Sequence, residues 1–549
     1  MSSIRIALAQ INPTVGGLLA NATLILEQAK LAHAQGADVL ITPELALTGY
    51  PPEDLLLRPA FVSQQQQVLD TLQEQLAGLA GLHVVVGHVD SQGQQLFNAA
   101  TILHEGRRVG TYHKHQLPNY GVFDELRYFQ PGDQTLVFDC KGVRLGILIC
   151  EDMWLPETPA ACLQRGAQAL LVLNASPYCL GKQGQREQIV RDSAQGCPVV
   201  YLNLVGGQDE LIFDGASMVM DDAGQIVARL PMFQEALGVL DLICDAQGKV
   251  TVQTGAQEQG GWVAHWPSDE AQVYAALVMA LRDYVRKAGF SSVLLGLSGG
   301  LDSALVLALA VDALGAQAVR TIMMPSPYTA QISLDDASAM AQGLGVAYEE
   351  IAIAPLSTVF DAALAPLFQG LEPDATEENI QARVRGTLLM AISNKFGGLL
   401  LTTGNKSELA TGYCTLYGDM AGGFAPIKDI PKTLAYRLAH WRNQQSQVIP
   451  ERILTRAPSA ELRPDQTDQD SLPSYEELDD ILERHVEQNQ SAAEIVAAGR
   501  DAQTVEDVLR RVRFNEYKRR QGAIGPKVTS RAFGRDWRHP IINAYRDVR

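Results

Sequence analysis

The chain has 549 residues, which is too long for one hydrophobic core and predicts two domains of ordinary size. Hydrophobic residues make up 46% of it and charged residues 19%, a composition typical of a globular protein rather than a disordered or membrane-bound one. The 44 basic and 62 acidic residues give a net charge of −18, which disfavours nucleic acid as a partner. A small phosphorylated substrate is still compatible with a local basic patch.

Nothing in the sequence predicts a membrane segment or an export signal. No apolar run approaches the roughly 20 residues that span a bilayer. The N-terminus enters a strand-like pattern at once and lacks the apolar stretch and cleavage site of a signal peptide, so a cytoplasmic location is expected. The seven cysteines are scattered and include no C-x-x-C pair, which predicts neither a disulfide framework nor a zinc site.

The first half alternates predicted strands and helices. Strands are predicted at 4–9, 38–42, 83–87, 97–103, 109–113, 143–150, 169–175 and 199–205, and a helix at 20–35. Hairpin turns are predicted at 105–106 and 221–224. Strands that follow both hairpins and helices predict mixed sheets covered by helices, in an α/β layered sandwich.

The pattern changes near residue 245, where Gln, Gly, Thr and Trp replace the periodic residues. We therefore expect a first domain at 1–245, a linker at 246–268 and a second domain at 269–549, with Ser268 as the N-cap of a new helix. Beyond it, strands at 293–297, 319–324 and 347–353 alternate with helices, which predicts a parallel doubly wound sheet. The polar, proline-rich stretch 456–473 is expected to be a loop that orders over a ligand.

The most informative motif of the second domain is Ser-Gly-Gly-Leu-Asp-Ser at 298–303, between a predicted strand and a predicted helix. Glycines let the backbone curl so that several N–H groups converge, and the N-terminus of the following helix adds positive potential. These features predict a cradle for phosphates, with Asp302 as an oxygen ligand for Mg²⁺. The alternative is a glycine-rich turn without a ligand.

This motif differs from a Walker loop, because the Gly-Lys pairs at 181–182 and 248–249 are not followed by Ser or Thr. Transfer of a γ-phosphoryl group is therefore disfavoured. The S-G-G-x-D-S pattern resembles the pyrophosphate-binding loop of the ATP pyrophosphatases. That resemblance implies an enzyme that adenylates a carboxylate or carbonyl group and releases pyrophosphate.

Two more segments are predicted near this loop. A predicted strand runs into Thr-Gly-Asn-Lys-Ser-Glu at 403–408, and residues at the carboxyl ends of parallel strands face the ligand crevice. Thr403 and Glu408 are thus expected near nucleotide and metal; the alternative is a helix cap without a ligand. On an upstream helix Asn379 and Arg383 share one face, which by itself favours a solvated surface.

Three functional groups follow predicted strands of the first domain: the carboxylate of Glu44, the amine of Lys114 and the thiol of Cys150. Hydrolysis of an amide through a thioester needs a thiol, a base to activate it and a cation to stabilise the oxyanion. Each residue alone is compatible with a purely structural role. A Cys–His pair using His113 or His115 is a further alternative.

The three residues resemble a known set when their neighbours are included. Pro-Glu-Leu at 43–45, Tyr-His-Lys at 112–114 and Cys-Glu-Asp at 150–152 are similar to the nitrilase superfamily with its Glu–Lys–Cys triad. The segment 119–125, Asn-Tyr-Gly-Val-Phe-Asp-Glu, adds to that similarity.

A nitrilase-like domain ahead of an S-G-G-x-D-S domain resembles the glutamine-dependent NAD synthetase family over nearly the whole chain. Segments 424–429, 515–521 and 531–536 are similar to that family as well. The resemblance implies an αββα sandwich followed by a doubly wound sheet like that of the adenine nucleotide α-hydrolases. It implies that ATP-dependent adenylation activates deamido-NAD⁺, which ammonia from glutamine then converts to NAD⁺.

The same resemblance implies roles for individual residues. Glu44 is the expected base, Lys114 the oxyanion lysine and Cys150 the nucleophile. Glutamine is expected to contact Tyr120, Glu125, Ser176 and Lys182. ATP is expected to contact Gly296, Leu297, Ser298, Gly299, Gly300, Leu301, Asp302, Ser303 and Thr403. Deamido-NAD⁺ is expected to contact Asn379, Glu408 and Lys518, and Mg²⁺ to bind Asp302 and Glu408. Arg383, Asp419 and Lys428 match family positions without an assigned role.

The family resemblance also implies a homo-oligomer, at least a dimer, with no nucleic acid or membrane partner. Two alternatives stay open at this point. The same chemistry is compatible with another adenylated acceptor, and the second domain is compatible with a nucleotide sensor that regulates an amidase. Two carboxylates suited to Mg²⁺, Asp302 and Glu408, argue against the sensor, which needs no catalytic metal.

Overall fold

The structure, a computed structural model, describes residues 2–254, 263–464 and 466–546. The chain forms two compact units that divide between Pro267 and Ser268, with residues 209–211 grouped with the second. Among the described residues, no helix combines the length and the apolar character needed to cross a bilayer.

The first unit consists of mixed sheets and helices. Its strands are β1 (Ser2–Gln10), β2 (Val39–Ile41), β3 (His83–Gln92), β4 (Gln95–His104), β5 (Arg107–His113), β6 (Val137–Cys140), β7 (Val143–Ile149), β8 (Ala169–Asn174), β9 (Val199–Asn203), β10 (Val205–Gln208), β11 (Leu211–Asp214), β12 (Met218–Met220), β13 (Ile226–Arg229), β14 (Ala236–Cys244) and β15 (Val250–Gln253). Its helices are α1 (Leu18–Ala34), α2 (Pro59–Leu76), α3 (Glu157–Gln164) and α4 (Lys182–Ala194).

The alternation of side chains along β1 shows how the layers form. Within the described residues, the two large sheets have the orders β15-β14-β1-β2-β3-β4-β5 and β13-β12-β9-β8-β7-β6, and β10 and β11 form a separate two-stranded sheet. Ile4, Ile6 and Leu8 of β1 lie in the core shared by both sheets, whereas Ala7 and Ala9 lie in the core under α1 and α2. Helix α3 packs on β7 of the second sheet. This arrangement confirms the predicted αββα sandwich.

The second unit is built on a parallel sheet. Its strands are β16 (Val293–Gly296), β17 (Val319–Met323), β18 (Ala347–Glu350) and β19 (Leu399–Leu401). Its helices are α5 (Asp269–Lys287), α6 (Leu301–Leu314), α7 (Gln331–Leu344), α8 (Ala354–Leu364), α9 (Ala375–Phe396), α10 (Lys406–Thr411), α11 (Lys432–Gln445), α12 (Glu451–Thr455), α13 (Tyr475–Leu482), α14 (Ala492–Ala497), α15 (Ala502–Phe514) and α16 (Glu516–Arg519).

The strand order β18-β17-β16-β19, with every neighbouring pair parallel, confirms the predicted doubly wound sheet. Helix α9 packs on this sheet through Ile380 and Val384, which share a core with Leu294 and Ile322. Ser268 caps α5 as predicted, because its side chain accepts a hydrogen bond from the amide of Ala271 at 3.3 Å.

The structure corrects the bounds of two predicted segments. The predicted strand 199–205 is two strands, β9 and β10: the amide of Leu204 makes the last bond to β8, with the carbonyl of Asn174 at 3.0 Å, and the amide of Val205 donates to the carbonyl of Ile11 instead, at 3.2 Å. The predicted linker 246–268 contains β15, which pairs with β14 after a tight turn in which the amide of Asp245 donates to the carbonyl of Lys249. Residues 255–262 of that predicted linker lie outside the described residues.

Candidate active sites

The ends of three strands bring the predicted triad together in the first unit. Lys114 directly follows β5, Cys150 directly follows β7, and Glu44 lies three residues after β2. The Nζ atom of Lys114 donates to Oε1 of Glu44 at 2.7 Å. The side chains of Lys114 and Glu44 are both 0% exposed, so this ion pair is sealed from solvent.

A second carboxylate completes the charge cluster around Lys114. Its Nζ atom also donates to both oxygens of Glu125, at 2.9 Å each, and the hydroxyl of Tyr50 donates to Glu125 Oε1 at 2.8 Å. Glu125 was predicted to contact glutamine, and in the structure its carboxylate faces the lysine. The amide nitrogens of Asn98 and Ala175 each donate to Glu44 at 2.8 Å, one to Oε1 and the other to Oε2.

Burial and charge set the protonation states of this cluster. Burial lowers the pKa of Lys114, but the carboxylates of Glu125 and Glu44 outweigh it and raise that pKa well above its ordinary value. Burial, opposed by Lys114 and assisted by Glu44, raises the pKa of Glu125 to about 7. Burial and the neighbouring charge of Glu44 raise the pKa of Cys150 well above that of a free thiol. Cys150 therefore rests as a thiol and needs a base before it can attack.

Cys150 lies on a turn with left-handed backbone geometry, φ 47°, which explains why β7 ends at Ile149 and not at the predicted residue 150. Asp152 holds this turn. Its carboxylate accepts hydrogen bonds from the amide of Ile149 at 3.1 Å and the hydroxyl of Tyr112 at 2.8 Å. It also accepts from the amide of Gln116, at 2.8 Å, so one buried carboxylate ties the cysteine turn to the segment after Lys114.

The other residues predicted to contact glutamine lie on segments around the triad. The hydroxyl of Tyr120 donates to Glu151, the neighbour of Cys150, at 2.9 Å, while the Tyr120 side chain is 56% exposed. Ser176 is buried and directly follows Ala175, whose amide contacts Glu44. Lys182 is the first residue of α4, and its ammonium lies 5.7 Å from the centre of the Trp154 ring.

A cavity of about 510 Å³ lies in the second unit. All residues predicted to contact ATP, deamido-NAD⁺ or Mg²⁺ line it: Gly296, Leu297, Ser298, Gly299, Gly300, Leu301, Asp302, Ser303, Asn379, Thr403, Glu408 and Lys518. The predicted loop 456–473 contributes Arg456, Glu461 and Asp468 to the same wall.

The loop before α6 has the geometry of an anion cradle. Gly299 has φ +77° and lies so close to the backbone of Ser333 that a Cβ atom would be 2.3 Å from the Ser333 carbonyl oxygen, so no other residue fits. The hydroxyls of Ser298 and Ser303 lie 3.0 Å apart, and the amide of Gly300 donates to Ser298 Oγ at 3.3 Å. These bonds close the loop on itself directly before the N-terminus of a 14-residue helix, and the N-terminus of a helix favours a bound anion.

A lysine lies between the two predicted metal ligands. Lys432, which the sequence interpretation did not single out, contacts Asp302 and donates to Oε1 of Glu408 at 3.4 Å. Burial and the charge of Asp302 raise the pKa of Glu408 to about 8. Asn405 also donates to Oδ1 of Asp302, at 3.2 Å.

The donor set fits Mg²⁺ bound with a nucleotide. Among the described residues, no group of three or more His, Cys, Asp or Glu side chains is arranged to hold a metal without other ligands. Asp302 and Glu408 supply two carboxylates, and Mg²⁺ commonly takes one or two carboxylates together with phosphate oxygens. Both carboxylates line the cavity and both contact Lys432, so a cation that arrives with phosphates would share them with that lysine.

Asn379 and Lys518, which were predicted to contact the dinucleotide, also line the cavity. The hydroxyl of Thr415 donates to Asn379 Oδ1 at 2.8 Å, and Lys518 donates to the carbonyls of Gly412 and Cys414 at 2.9 and 2.8 Å. Among the positions without a predicted role, Asp419 lines the cavity. Arg383 instead donates to the carbonyl of Leu416, at 3.2 Å. Lys428 donates to the carbonyl of Ala523, at 2.6 Å.

The similar segments 424–429 and 531–536 contribute to one buried ion network. Lys406, at the start of α10, contacts Asp429 at 3.0 Å and Glu487 at 2.8 Å, with 2% of its side chain exposed. It also donates to the carbonyl of Arg531 at 2.9 Å. This network holds α10, the helix that carries Glu408, against the C-terminal part of the chain.

Models of two protein families match the two units. The family described as carbon-nitrogen hydrolase matches residues 5–264, and the family described as NAD synthase matches residues 273–522. Over 552 residues, the chain is 49% identical to the glutamine-dependent NAD(+) synthetase of Acinetobacter baylyi, with 100% of this chain and 99% of that protein covered. The chain belongs to the glutamine-dependent NAD(+) synthetases.

Two further members of that family support this assignment. The glutamine-dependent NAD(+) synthetase of Thermotoga maritima is 45% identical, with 100% of both chains covered. The solved structure of the Acinetobacter baumannii glutamine-dependent NAD+ synthetase in complex with adenosine diphosphate has a TM-score of 0.78 and 46% identity, and covers 100% of each chain.

Three residues that contact or position the predicted ones, Asn98, Asp152 and Lys432, were not predicted from the sequence. Asn98 could have been found from the sequence, because it is a polar residue inside the apolar strand β4. A buried amide needs a hydrogen-bond partner, and here the partner is Glu44. Asp152 belongs to the Cys-Glu-Asp motif at 150–152, but the motif by itself predicted no role for it. Lys432 begins a helix after Pro431, and its separation from Asp302 along the chain hides their contact.

Proposed function

We propose that this chain synthesises NAD⁺ from deamido-NAD⁺, ATP and ammonia released from glutamine, with the amidase in residues 1–245 and the ligase in 269–549. One observation carries the proposal: the residues expected to contact ATP and deamido-NAD⁺, which are far apart in sequence, line one cavity. The sealed cluster of Lys114, Glu44 and Glu125 near the Cys150 turn supports the amidase half.

In the amidase, Glu44 is the proposed base. It takes the proton from Cys150, and the thiolate attacks the side-chain carbonyl carbon of glutamine. The ammonium of Lys114 stabilises the oxyanion, since its raised pKa keeps it charged. Glu44 then gives its proton to the leaving nitrogen, the C–N bond breaks, and ammonia leaves a thioester on Cys150.

Water completes the amidase cycle. Glu44 takes a proton from water as the oxygen attacks the thioester carbon, the C–S bond breaks, and the proton returns to the sulfur as glutamate leaves. The buried position of Glu44 supports this shuttle, because two amide donors and Lys114 hold its carboxylate in one orientation. Tyr120, Ser176, Lys182 and Glu125 remain the proposed contacts for glutamine.

In the ligase, a carboxylate oxygen of deamido-NAD⁺ attacks the α-phosphorus of ATP, and the bond to the β-phosphate breaks. The loop at 298–303 and the N-terminus of α6 are proposed to hold the departing pyrophosphate. Ammonia then attacks the adenylated carbonyl carbon, AMP leaves, and one proton is released to solvent. A free carboxylate does not react with ammonia, which is why the AMP leaving group is needed.

Asp302 and Glu408 are the proposed Mg²⁺ ligands, and Thr403 a proposed ATP contact. When bound, Mg²⁺ neutralises charge on the phosphates of ATP. Asn379, Glu408 and Lys518 are the proposed contacts for deamido-NAD⁺. Their position on the cavity wall supports this assignment.

We also propose that the chain works in the cytoplasm as a homo-oligomer, at least a dimer. Helix α8 supports self-association, because none of its residues is buried and Val359 and Phe360 are 66% and 50% exposed. Analytical ultracentrifugation tests this part, and a monomer at micromolar concentration would contradict it.

The function is tested by incubating purified protein with deamido-NAD⁺, ATP and Mg²⁺ and with either glutamine or ammonium chloride. We expect NAD⁺, AMP and pyrophosphate in equal amounts from both nitrogen sources, and glutamate in addition from glutamine. Absence of NAD⁺ with both sources would reject the proposed acceptor. ATP that binds but is never cleaved would indicate the nucleotide sensor instead.

A further inference from the structure

A buried ion pair of the first unit lies outside the triad. The side chains of Arg186, on α4, and Asp214, at the end of β11, are each 1% exposed. Nη1 of Arg186 donates to both oxygens of Asp214, at 2.9 and 2.8 Å. Replacing a buried ion pair by apolar residues is often neutral for stability. Stability alone therefore does not explain why this pair is present, and the groups that it contacts suggest another role.

The Nη2 and Nε atoms of Arg186 donate to the segment that follows β8. Nη2 donates to the carbonyls of Ser176 and Pro177, at 2.8 and 3.1 Å, and Nε donates to the hydroxyl of Ser176 at 3.2 Å. Asn203 joins the same network: it donates to the carbonyl of Ser176 and to Asp214, at 3.2 Å each, and accepts from the amide of Ser176. Arg186 and Asn203 thus bind both the backbone and the serine side chain of residues 175–177, which we call the Ser176 segment.

The Arg186 network is connected to the proposed amidase site in two ways, through Ala175 and through helix α4. The amide of Ala175, in the Ser176 segment, donates to Glu44 Oε2 at 2.8 Å. Lys182 lies four residues before Arg186 on α4, so the two residues share one face of that helix. A shift of the Arg186 guanidinium would therefore displace the Ser176 segment and loosen the helix that carries Lys182.

We infer that Arg186, paired with Asp214, is a positioning residue for the amidase site: it sets the place of the Ser176 segment, and through it the orientation of Glu44 and the fit of glutamine. Arg186 has this role without touching the reacting atoms, because its donors are directed to Asp214, Gln183 and the Ser176 segment. The inference rests on the proposed glutamine-dependent function.

The test compares Arg186→Met with Arg191→Met in the full-length protein. Arg191 lies on the same helix but donates to the carbonyl of Gly224 and to Gln188, away from the Ser176 segment. For Arg186→Met we expect the KM for glutamine to rise about tenfold or more and the glutamine-driven kcat to fall by a similar factor, since small misplacements of reacting groups are costly. Arg191→Met should leave both within about twofold.

The KM separates positioning from a loss of folded protein, because a smaller folded fraction lowers the apparent kcat and leaves the KM unchanged. The rate of NAD⁺ synthesis from ammonium chloride by the same samples measures the activity of the second unit. We expect this rate to stay within about twofold of wild type in both variants. A wild-type protein that makes no NAD⁺ from either source would reject the proposed function. A normal wild type with an unchanged KM for glutamine in Arg186→Met would reject this inference alone.

Asp214→Asn provides an independent version of the test, which decides the question if Arg186→Met does not fold. The asparagine keeps the shape and one acceptor oxygen but removes the charge opposite Arg186. We expect a smaller rise in the KM for glutamine than in Arg186→Met, about threefold or more, with ammonium-driven synthesis retained. A KM equal to that of wild type in this soluble variant would contradict the role of the pair.

Discussion

Each candidate site has a buried lysine between two carboxylates, Lys114 in the amidase and Lys432 in the ligase, and the two clusters differ in their access to solvent. Around Lys114, the side chains of Glu44 and Glu125 are 0% and 5% exposed. Around Lys432, the side chains of Asp302 and Glu408 are 16% and 17% exposed and line a cavity. A lysine and two carboxyl groups are thus buried away from solvent in the first site and lie at the wall of an accessible cavity in the second.

This difference follows from what each proposed reaction brings to its site. Glutamine side chains are neutral, so the amidase must contain its own charges, and burial strengthens their mutual interaction. ATP and deamido-NAD⁺ bring phosphates and a metal ion, so the ligase needs carboxylates that these ligands can reach. A lysine between two acids therefore does not define a function until its exposure is known.

The largest expected effect separates the two sites completely. Cys150→Ala should lower glutamine-driven synthesis by at least about 10³-fold, because the nucleophile is lost, while ammonium-driven synthesis stays within about twofold. NAD⁺ formation with each nitrogen source measures both rates in one preparation. Normal use of glutamine by this variant would show that the triad assignment is wrong.

In the open site, Asp302→Ala should lower synthesis from both nitrogen sources, by about 10²-fold or more, because a proposed metal ligand next to the phosphate loop is lost. Glutamine hydrolysis, measured as glutamate release, reports whether the first unit remains folded. Loss of glutamine-driven synthesis alone would contradict the placement of Asp302 in the ligase.

A smaller effect is expected from Asn98→Ala in the sealed site. Asn98 donates to Glu44 at 2.8 Å, and without it one oxygen of the proposed base loses a fixed partner. Glutamine-driven kcat should fall about tenfold, at unchanged ammonium-driven synthesis, in line with the loss of one orienting hydrogen bond. If both rates fell equally, Asn98 would have to act on the fold as a whole.

The last expected effect concerns stability and not activity: it is a pH dependence of the free energy of unfolding in the sealed site. The pKa of Glu125 is raised to about 7 in the folded protein, so Glu125 retains its proton there at pH values where the unfolded chain has lost it. Its contribution to the free energy of unfolding therefore falls as pH rises from the unfolded pKa, about 4.3, to about 7, at no more than about 1.4 kcal/mol per pH unit.

Glu125→Gln keeps the shape of the side chain and removes this titration. Urea unfolding of both proteins between pH 5 and 8 measures the difference. Wild type should lose stability relative to the variant as pH rises to 7, and the difference should then level off. Parallel curves over this range would show that Glu125 titrates alike in the folded and unfolded chains.

Local patterns were sufficient for much of the architecture. The apolar run of β7 and the polar turn at its end predicted both a buried strand and the place of Cys150, because buried strands need apolar residues and chemistry needs accessible ends. The Ser-Gly-Gly sequence before α6 predicted its own geometry, since at φ +77° and at this distance from Ser333 only glycine fits. Short strands such as β15 were missed because four residues carry too little periodicity.

Which groups meet was decided by tertiary structure. The sequence by itself determined the two layered α/β units and the residues at their strand ends, since both depend on interactions within a few turns or strands. The tertiary structure decided that Lys114 is shared by Glu44 and Glu125, that Lys432 reaches Asp302 from 130 residues away, and that Arg186 holds Ser176. Burial and charge pairing depend on chain segments that only folding brings into contact, and no local pattern encodes them.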